Sequence, residues 1–332
     1  MKAVRFPAFG PPLDVVQVVD EQAGPLAPGE ALVEVLATPI NPSDLSTIGG
    51  RYGVLPKLPA VPGNEGVGRV VDVSGSTAVR PGQHVFLPMG GGTWRTHVKA
   101  KAERLLPVPE GADLLQMAML SINPPTAELL LHEYVELQPG EWVLQNAANS
   151  AVGRYLITLA RREGYRTVNV VRREDLVPEL LALGADVVLV DGPELPSRVR
   201  EATGGANIRL AIDAVSGSAT ARLGDSLAMG GVVVNYGAMS GEGPCLSSSA
   251  VVFKGVTLRG FWLVHWMGKT PRQEQAALMQ RLAQLVSEGV LRAPVDATYP
   301  LDKIHEALTR AMEGGRQGKV LLTPAGPVQG GK

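Results

Sequence analysis

One cysteine in 332 residues, Cys245, excludes an internal disulfide framework and a cysteine-rich zinc site. An excess of either charge is also lacking. Thirty-one basic residues against 32 acidic ones leave a formal net charge of −1, so no broad field draws in nucleic acid or an anionic membrane. No apolar run reaches the roughly 18 residues that a membrane-spanning helix needs. The five histidines, His84, His97, His132, His265 and His305, are scattered without metal-ligand spacing. Low-complexity tracts are missing, and so are internal repeats beyond an alternation of strand and helix. The opening residues Met1–Phe6 already alternate like a strand, which leaves no room for a signal or transit peptide and gives the expectation of a cytoplasmic protein. The balance that remains, 19% charged and 45% hydrophobic, suits a compact chain long enough for two domains with separate cores.

Residues 1 to about 120 read as short strands broken by Gly and Pro, the pattern of an all-β or barrel-like module. Ala31–Ala37 and Gly66–Val73 are the clearest of them. Gly90-Gly91-Gly92-Thr93-Trp94 reads as a loop that is either mobile or closely approached. From about Asn123 the pattern changes to alternating helices and strands. Leu114–Leu131 reads as helical with an interruption at Pro124-Pro125.

Trp142–Asn146 is a short apolar run, followed by a turn of small residues. A helix follows, with Val152, Tyr155, Leu156, Leu159 and Ala160 on one face and Gly164 as its stop. Thr167–Val171 is the β-branched run expected of a parallel strand covered on both faces. Together they predict a βαβ unit whose turn, Asn149–Gly153, offers backbone N–H groups and a helix N-terminus to a pyrophosphate. Further strands are expected at Val187–Val190, Ile208–Asp213, Val232–Tyr236 and Val256–Phe261, giving the six of a full dinucleotide-binding sheet. About 20 residues past the turn, where an acidic residue would hold an NAD ribose, stand Arg172 and Arg173. That pair suits the 2′-phosphate of NADP, although a merely solvated strand end would look the same. A helix near Gln273–Ser287, another beginning at Ile304 and a strand Lys319–Leu322 follow, and the tail from Pro324 is expected to fray.

Several motifs, by order and spacing, resemble the medium-chain dehydrogenase/reductase superfamily over nearly the whole chain. They are Asn41-Pro42-Ser43-Asp44, Arg51-Tyr52-Gly53, Gly63-Asn64-Glu65-Gly66, Gly92–Thr96, Asn123-Pro124, Gln145–Ser150 and Leu258–Leu263. The resemblance is closer still to the mitochondrial-type trans-2-enoyl-thioester (enoyl-CoA or enoyl-ACP) reductases. It implies an α/β chain with a GroES-like β-barrel catalytic domain over 1–121 and 293–332, and a Rossmann NADPH-binding domain over 122–292. Zinc-containing relatives carry a Cys ligand near Asn41–Asp44 and a His at the place of Asn64. Neither is here, and Glu65 alone cannot supply the three protein ligands of a catalytic zinc. Reduction of an activated carbon–carbon double bond is therefore expected rather than alcohol dehydrogenation. It needs a hydride at the β-carbon, a proton at the α-carbon and a group that steadies the enolate.

The resemblance makes Tyr52 the proton donor, a role a phenol of pKa about 10 can fill at neutral pH. A loop aromatic packed in place is the plainer alternative. Asn64 and Trp262 complete the implied catalytic set. The implied NADPH contacts are Asn123 at the nicotinamide end; Asn149, Ser150, Ala151, Val152 and Gly153 at the pyrophosphate; and Arg172 and Arg173 at the 2′-phosphate. Tyr236, Gly237, Ala238 and Met239 are implied beside the nicotinamide, Phe261, Trp262 and Leu263 near it, and Lys319 as a further cofactor contact. Phe261-Trp262 would equally serve as a buried pair. The sequence departs from the family at Ala151, where Gly is common, at Pro62, and in the arrangement of charge around Arg172-Arg173. The substrate implied is an acyl thioester on CoA or acyl carrier protein, with Arg51, Lys57 and Arg95 as candidate contacts for the carrier. The assembly implied is a homodimer through the strand around Leu258–Leu263. A quinone or enone as acceptor, and a non-catalytic NADPH-binding protein on the same scaffold, are the alternatives.

Overall fold

A computed structural model describes residues 1–328. The chain forms two compact units, Met1–Ile122 with Gln273–Lys332, and Asn123–Arg272. The end of the tail expected to fray, residues 329–332, lies outside the described residues.

The first unit begins with β1 (Lys2–Arg5), paired antiparallel with β2 (Gln17–Asp20). Then come β3 (Glu30–Pro39), β4 (Val67–Val73), β5 (His84–Phe86) and β6 (His97–Lys101). β3 alternates as a half-buried strand must. Ala31, Val33, Val35 and Ala37 are fully buried, and the first three pack with Val70, Val85, Val98 and Ala100 of the neighbouring strands. A short helix, Pro42–Ile48, follows β3, with Pro42 in its first turn, where a missing N–H costs nothing. The loop Gly90–Trp94 is the closely approached kind. Thr93 and Trp94 N–H groups donate to the carbonyls of Gly63 and Pro62 at 3.1 and 3.0 Å. Gly63 (φ +103) must be glycine, because a Cβ there would lie 2.3 Å from the Thr93 hydroxyl.

The second unit opens on helix Asn123–His132. Here Pro124 and Pro125 do not interrupt a helix. The break falls earlier, between helix Leu114–Ala118 and Asn123, and both prolines sit in a first turn whose N–H groups have no intrahelical acceptor. The strands that follow are β7 (Trp142–Gln145), β8 (Arg166–Val171), β9 (Val187–Val190), β10 (Leu210–Asp213), β11 (Val232–Asn235) and β12 (Thr257–Gly260). They form one sheet in the order β12-β11-β10-β7-β8-β9, parallel throughout. Counted from β7 this is 3-2-1-4-5-6, the dinucleotide-binding order, with its switch point between β7 and β10. Helix Ala151–Arg162 buries Val152, Tyr155, Leu156, Ile157, Leu159 and Ala160, each large apolar side chain contributing about 1.5–3 kcal/mol by leaving water. Gly153 lets it lie against the turn after β7, since a Cβ would come 2.6 Å from the Ala148 carbonyl. Gly164 (φ +77) ends the helix in the left-handed conformation.

The chain returns to the first unit through helix Arg272–Ser287, β13 (Val295–Tyr299), helix Ile304–Met312 and β14 (Lys319–Leu322). β14 pairs with β3, extending that sheet to β13-β14-β3-β4-β5, with β6 also on β3. The sequence reading carried the nucleotide domain to residue 292, whereas the units divide at Arg272/Gln273. Two hydrogen bonds tie the stretch after this helix to the first unit. Gln116 Nε2 donates to the Ala293 carbonyl at 2.9 Å, and the Ala293 N–H donates to Gln116 Oε1 at 3.0 Å.

Candidate active-site elements

In the first unit, helix Pro42–Ile48, the loop before β4 and the start of β14 bring charged groups together out of water. Asp44 and Glu65 are 1% and 0% exposed and Lys319 is 8% exposed. The Lys319 ammonium donates to Asn41 Oδ1. The Asn41 amide donates to Glu65 Oε1 at 2.7 Å, and the Asn41 backbone N–H to Asp44 Oδ2 at 2.7 Å. Asn64 Nδ2 donates to Asp44 Oδ1 at 2.7 Å, and the Ile122 N–H to Glu65 Oε2 at 3.0 Å. Every oxygen of the two carboxylates thus accepts from nitrogen. Two acids share one base, and loss of water raises both acids. Asp44 is pushed up to about 7, opposed by the Asn41 N–H and by Lys319. Glu65 is raised by the same burial, and burial lowers Lys319 against the pull of both carboxylates.

Asn64 is therefore fixed by Asp44, and Lys319 lies at the heart of this cluster. Tyr52 is half-buried in the loop beyond helix Pro42–Ile48. Of the candidate carrier contacts, Arg51 and Lys57 are exposed. Arg95 is engaged within the unit, with Nε donating to the Gly92 carbonyl at 2.9 Å and Nη1 lying 3.6 Å from Glu21.

In the second unit, the turn after β7 begins with Ala147 in the left-handed region (φ 48), a conformation that costs a residue with a Cβ about 1–2 kcal/mol. Ser150 caps the helix by accepting from the Gly153 N–H at 3.1 Å. That leaves the first-turn N–H groups of Ala151 and Val152, which no helix can satisfy internally, for an anion. The Tyr236 hydroxyl hydrogen-bonds Ser150, and burial raises this phenol above its ordinary value, so it stays protonated. The bond joins the turn after β11 to the turn after β7. Asn123 is 7% exposed and its Nδ2 has no hydrogen-bond partner among the described residues, a donor available to a ligand carbonyl.

Phe261 and Leu263 are buried, while Trp262 is half-buried as the N-cap of helix Leu263–Lys269. Gly237 is half-buried, and Ala238 and Met239 are exposed. Arg172 and Arg173 are exposed beyond the end of β8, with Arg173 Nε 3.3 Å from Asp175. The structure thus groups Ser150 with Tyr236, and it sets Asn64 and Lys319 in one cluster with Asn41, Asp44 and Glu65. Asp213 and Asn235 are not among the expected site residues, and Asn146 stands in a family motif without an expected role. Their signal was there: each is a polar residue closing an apolar strand-like run.

The alcohol dehydrogenase GroES-like domain family matches residues 27–110, and the zinc-binding dehydrogenase family matches residues 183–322. The chain is 38% identical to the mitochondrial enoyl-[acyl-carrier-protein] reductase of Mus musculus, over 97% of this chain and 88% of that one. A solved structure from Bacillus thuringiensis, provisionally described as an NADPH:quinone reductase, is 34% identical, with a TM-score of 0.90 over 97% and 98% of the two chains. The mitochondrial 2-enoyl thioester reductase Etr1p/Etr2p heterodimer of Candida tropicalis is 28% identical, with a TM-score of 0.87 over 97% and 99%. Etr1p has also been solved with NADP and crotonyl-CoA.

Zinc does not fit this cluster. The cluster is built from two asparagines, two carboxylates whose oxygens are all committed to N–H donors, and an ammonium group. Among the described residues no group of three or more His, Cys, Asp or Glu is arranged to hold a metal ion. No described helix is long and apolar enough to cross a membrane. The expectation of a cytoplasmic protein is overturned, because the curated relatives, from mouse to fission yeast, are described as mitochondrial. A strand-like run in the opening residues does not by itself decide compartment. The chain belongs to the medium-chain dehydrogenase/reductase superfamily, close to the zinc-free branch of enoyl thioester reductases and quinone reductases.

Proposed function

We propose that this chain is an oxidoreductase that uses NADPH to reduce the carbon–carbon double bond of a trans-2-enoyl thioester, giving the saturated acyl thioester. The observation that carries the reading is the match along almost the whole chain to enoyl-[acyl-carrier-protein] reductases. The residues of the second unit suit the coenzyme. The N–H groups of Ala151 and Val152 would take the pyrophosphate, with Asn149 beside them and Gly153 permitting the close approach. Arg172 and Arg173 would take the 2′-phosphate. Asn123 Nδ2, which has no hydrogen-bond partner among the described residues, the turn Tyr236–Met239 and the segment Phe261–Leu263 would serve the nicotinamide end. When bound, the coenzyme supplies the hydride for the β-carbon. Tyr52 delivers the proton to the α-carbon, and Asn64, held by Asp44, is a donor for the developing enolate oxygen.

A quinone acceptor is the second reading, favoured by the likeness to the Bacillus thuringiensis protein. Parallel assays with crotonyl-CoA and a small quinone separate the two. NADPH oxidation with crotonyl-CoA, and a slower rate with NADH, is the expected result; turnover of quinone without turnover of thioester overturns the choice.

The assembly in this reading is a homodimer. β12 is an edge of its sheet and its four residues are exposed, an edge that invites pairing across a two-fold axis. Val252 and Phe253, just before it, are 70% and 76% exposed. Light scattering should return twice the chain mass, and a monomeric mass at assay concentrations would refute the dimer.

A further inference from the structure

At the carboxyl end of the second unit's sheet, Asp213 closes β10, the strand next to β7 across the switch point. It is fully buried and accepts five hydrogen bonds, all from neutral donors. Oδ1 receives Asn146 Nδ2 at 2.6 Å, the Val215 N–H at 3.0 Å and the Ser216 N–H at 3.1 Å; Oδ2 receives the Thr220 hydroxyl at 2.6 Å and Asn235 Nδ2 at 3.0 Å. A buried carboxylate is expensive, and fixing a local geometry is one use that can offset the cost.

The geometry fixed here is that of two turns. Ser216, at φ 70, is held left-handed with Gly217 (φ 62). The Ser216 hydroxyl and the Asn235 amide both reach the Gly237 carbonyl at 2.9 Å. The Tyr236 N–H donates to the Asp213 carbonyl at 2.9 Å and the Met239 N–H to the Ala214 carbonyl at 3.1 Å. A Cβ on Gly237 would come 2.9 Å from the Ala214 carbonyl, so the turns touch backbone to backbone.

We infer that Asp213 is a positioning residue for the nicotinamide half of the coenzyme. It locks the turn Tyr236–Met239 to the turn Ala214–Gly217, so that this wall of the crevice is formed before the coenzyme arrives. Ligands of open α/β sheets bind beyond the strand ends at the switch point, which the turn after β10 flanks, with the turn after β11 next to it. The inference rests on the NADPH reading above.

The test is a binding measurement on the full-length protein, by calorimetry, with NADPH and with 2′-phospho-ADP-ribose, which lacks the nicotinamide. Asp213→Asn keeps the size of the side chain but replaces one of its two acceptor oxygens with an NH2 donor and removes the charge. It should weaken NADPH by roughly tenfold, as loss of a pre-formed site does, and leave 2′-phospho-ADP-ribose within twofold of wild type, on the order of experimental scatter. Thr220→Val removes one of the five donors and should show the same selective loss to a smaller degree, including in the event that Asp213→Asn does not fold. Equal weakening of both ligands, or of neither, in the folded variants overturns the inference. Failure of the wild-type protein to bind either ligand would instead sink the NADPH reading.

Discussion

Replacing Tyr52 with phenylalanine is expected to lower turnover by about 10²–10⁴-fold, the range for removing a general acid, while NADPH binding stays at its wild-type strength. The substitution removes one oxygen from a half-buried loop side chain and keeps the ring. Packing around it therefore changes little. After hydride transfer the α-carbon still needs a proton, and water must bring it in place of a held hydroxyl. The loss should fall on kcat, because the hydroxyl acts after the substrate is bound, with KM nearly unchanged. Steady-state kinetics with crotonyl-CoA, together with NADPH titration of the same sample, read both quantities. Turnover close to wild type would remove Tyr52 from the mechanism and return it to the packing role its loop position also allows.

Lys319→Met should have the largest effect on stability, and one that depends on pH. The variant leaves Asp44 and Glu65 buried with no cation beside them, and breaking a buried pair in this way costs about 3–5 kcal/mol. The direction with pH follows from proton binding. Asp44 stands at about 7 in the folded protein against an ordinary 3.8, so between these values the folded state holds a proton that the unfolded state has released. Its stabilising contribution is present below about pH 4 and is lost as pH rises through about 7. Without Lys319 both acids rise further, because the charge that opposes their protonation is gone. The stability gap between variant and wild type should therefore be widest near about pH 8 and narrow toward about pH 5, where the carboxyls are protonated. Urea unfolding at the two pH values measures it. A gap that did not change with pH would mean that Lys319 acts through packing of its methylene chain and not through its charge.

Local pattern carried most of the second unit. The face on helix Ala151–Arg162, the glycine that ends it and the apolar runs that became β7 to β12 are set by residues a few positions apart, and such signals survive in any surroundings. Proline is excluded from a helix interior, so by sequence the Pro124-Pro125 pair reads as a break. Where a helix starts depends on which backbone groups find acceptors, and the structure put both prolines in the permissive first turn.

The charged cluster shows the other limit. Asn41, Asn64 and Lys319 each match a position of the family's pattern, and Glu65 alone cannot supply the three protein ligands of a catalytic zinc. That Lys319 would meet Asn41, 278 residues away in sequence, has no local signature. Glu65 is raised and Lys319 lowered only because folding strips both of water in the same place. Asp213 is similar, its five donors coming from residues spread between positions 146 and 235.

The amino-acid sequence by itself determined the periodicity, and through it the strands, the helices and the dinucleotide-binding order they could adopt. Tertiary structure alone decided which polar groups share a buried space, and so which carboxyls hold protons and which side chains are fixed. The reason is range: periodicity is a property of neighbours along the chain, whereas the free energy of a buried charge depends on every group that folding brings to it and on the water that folding takes away.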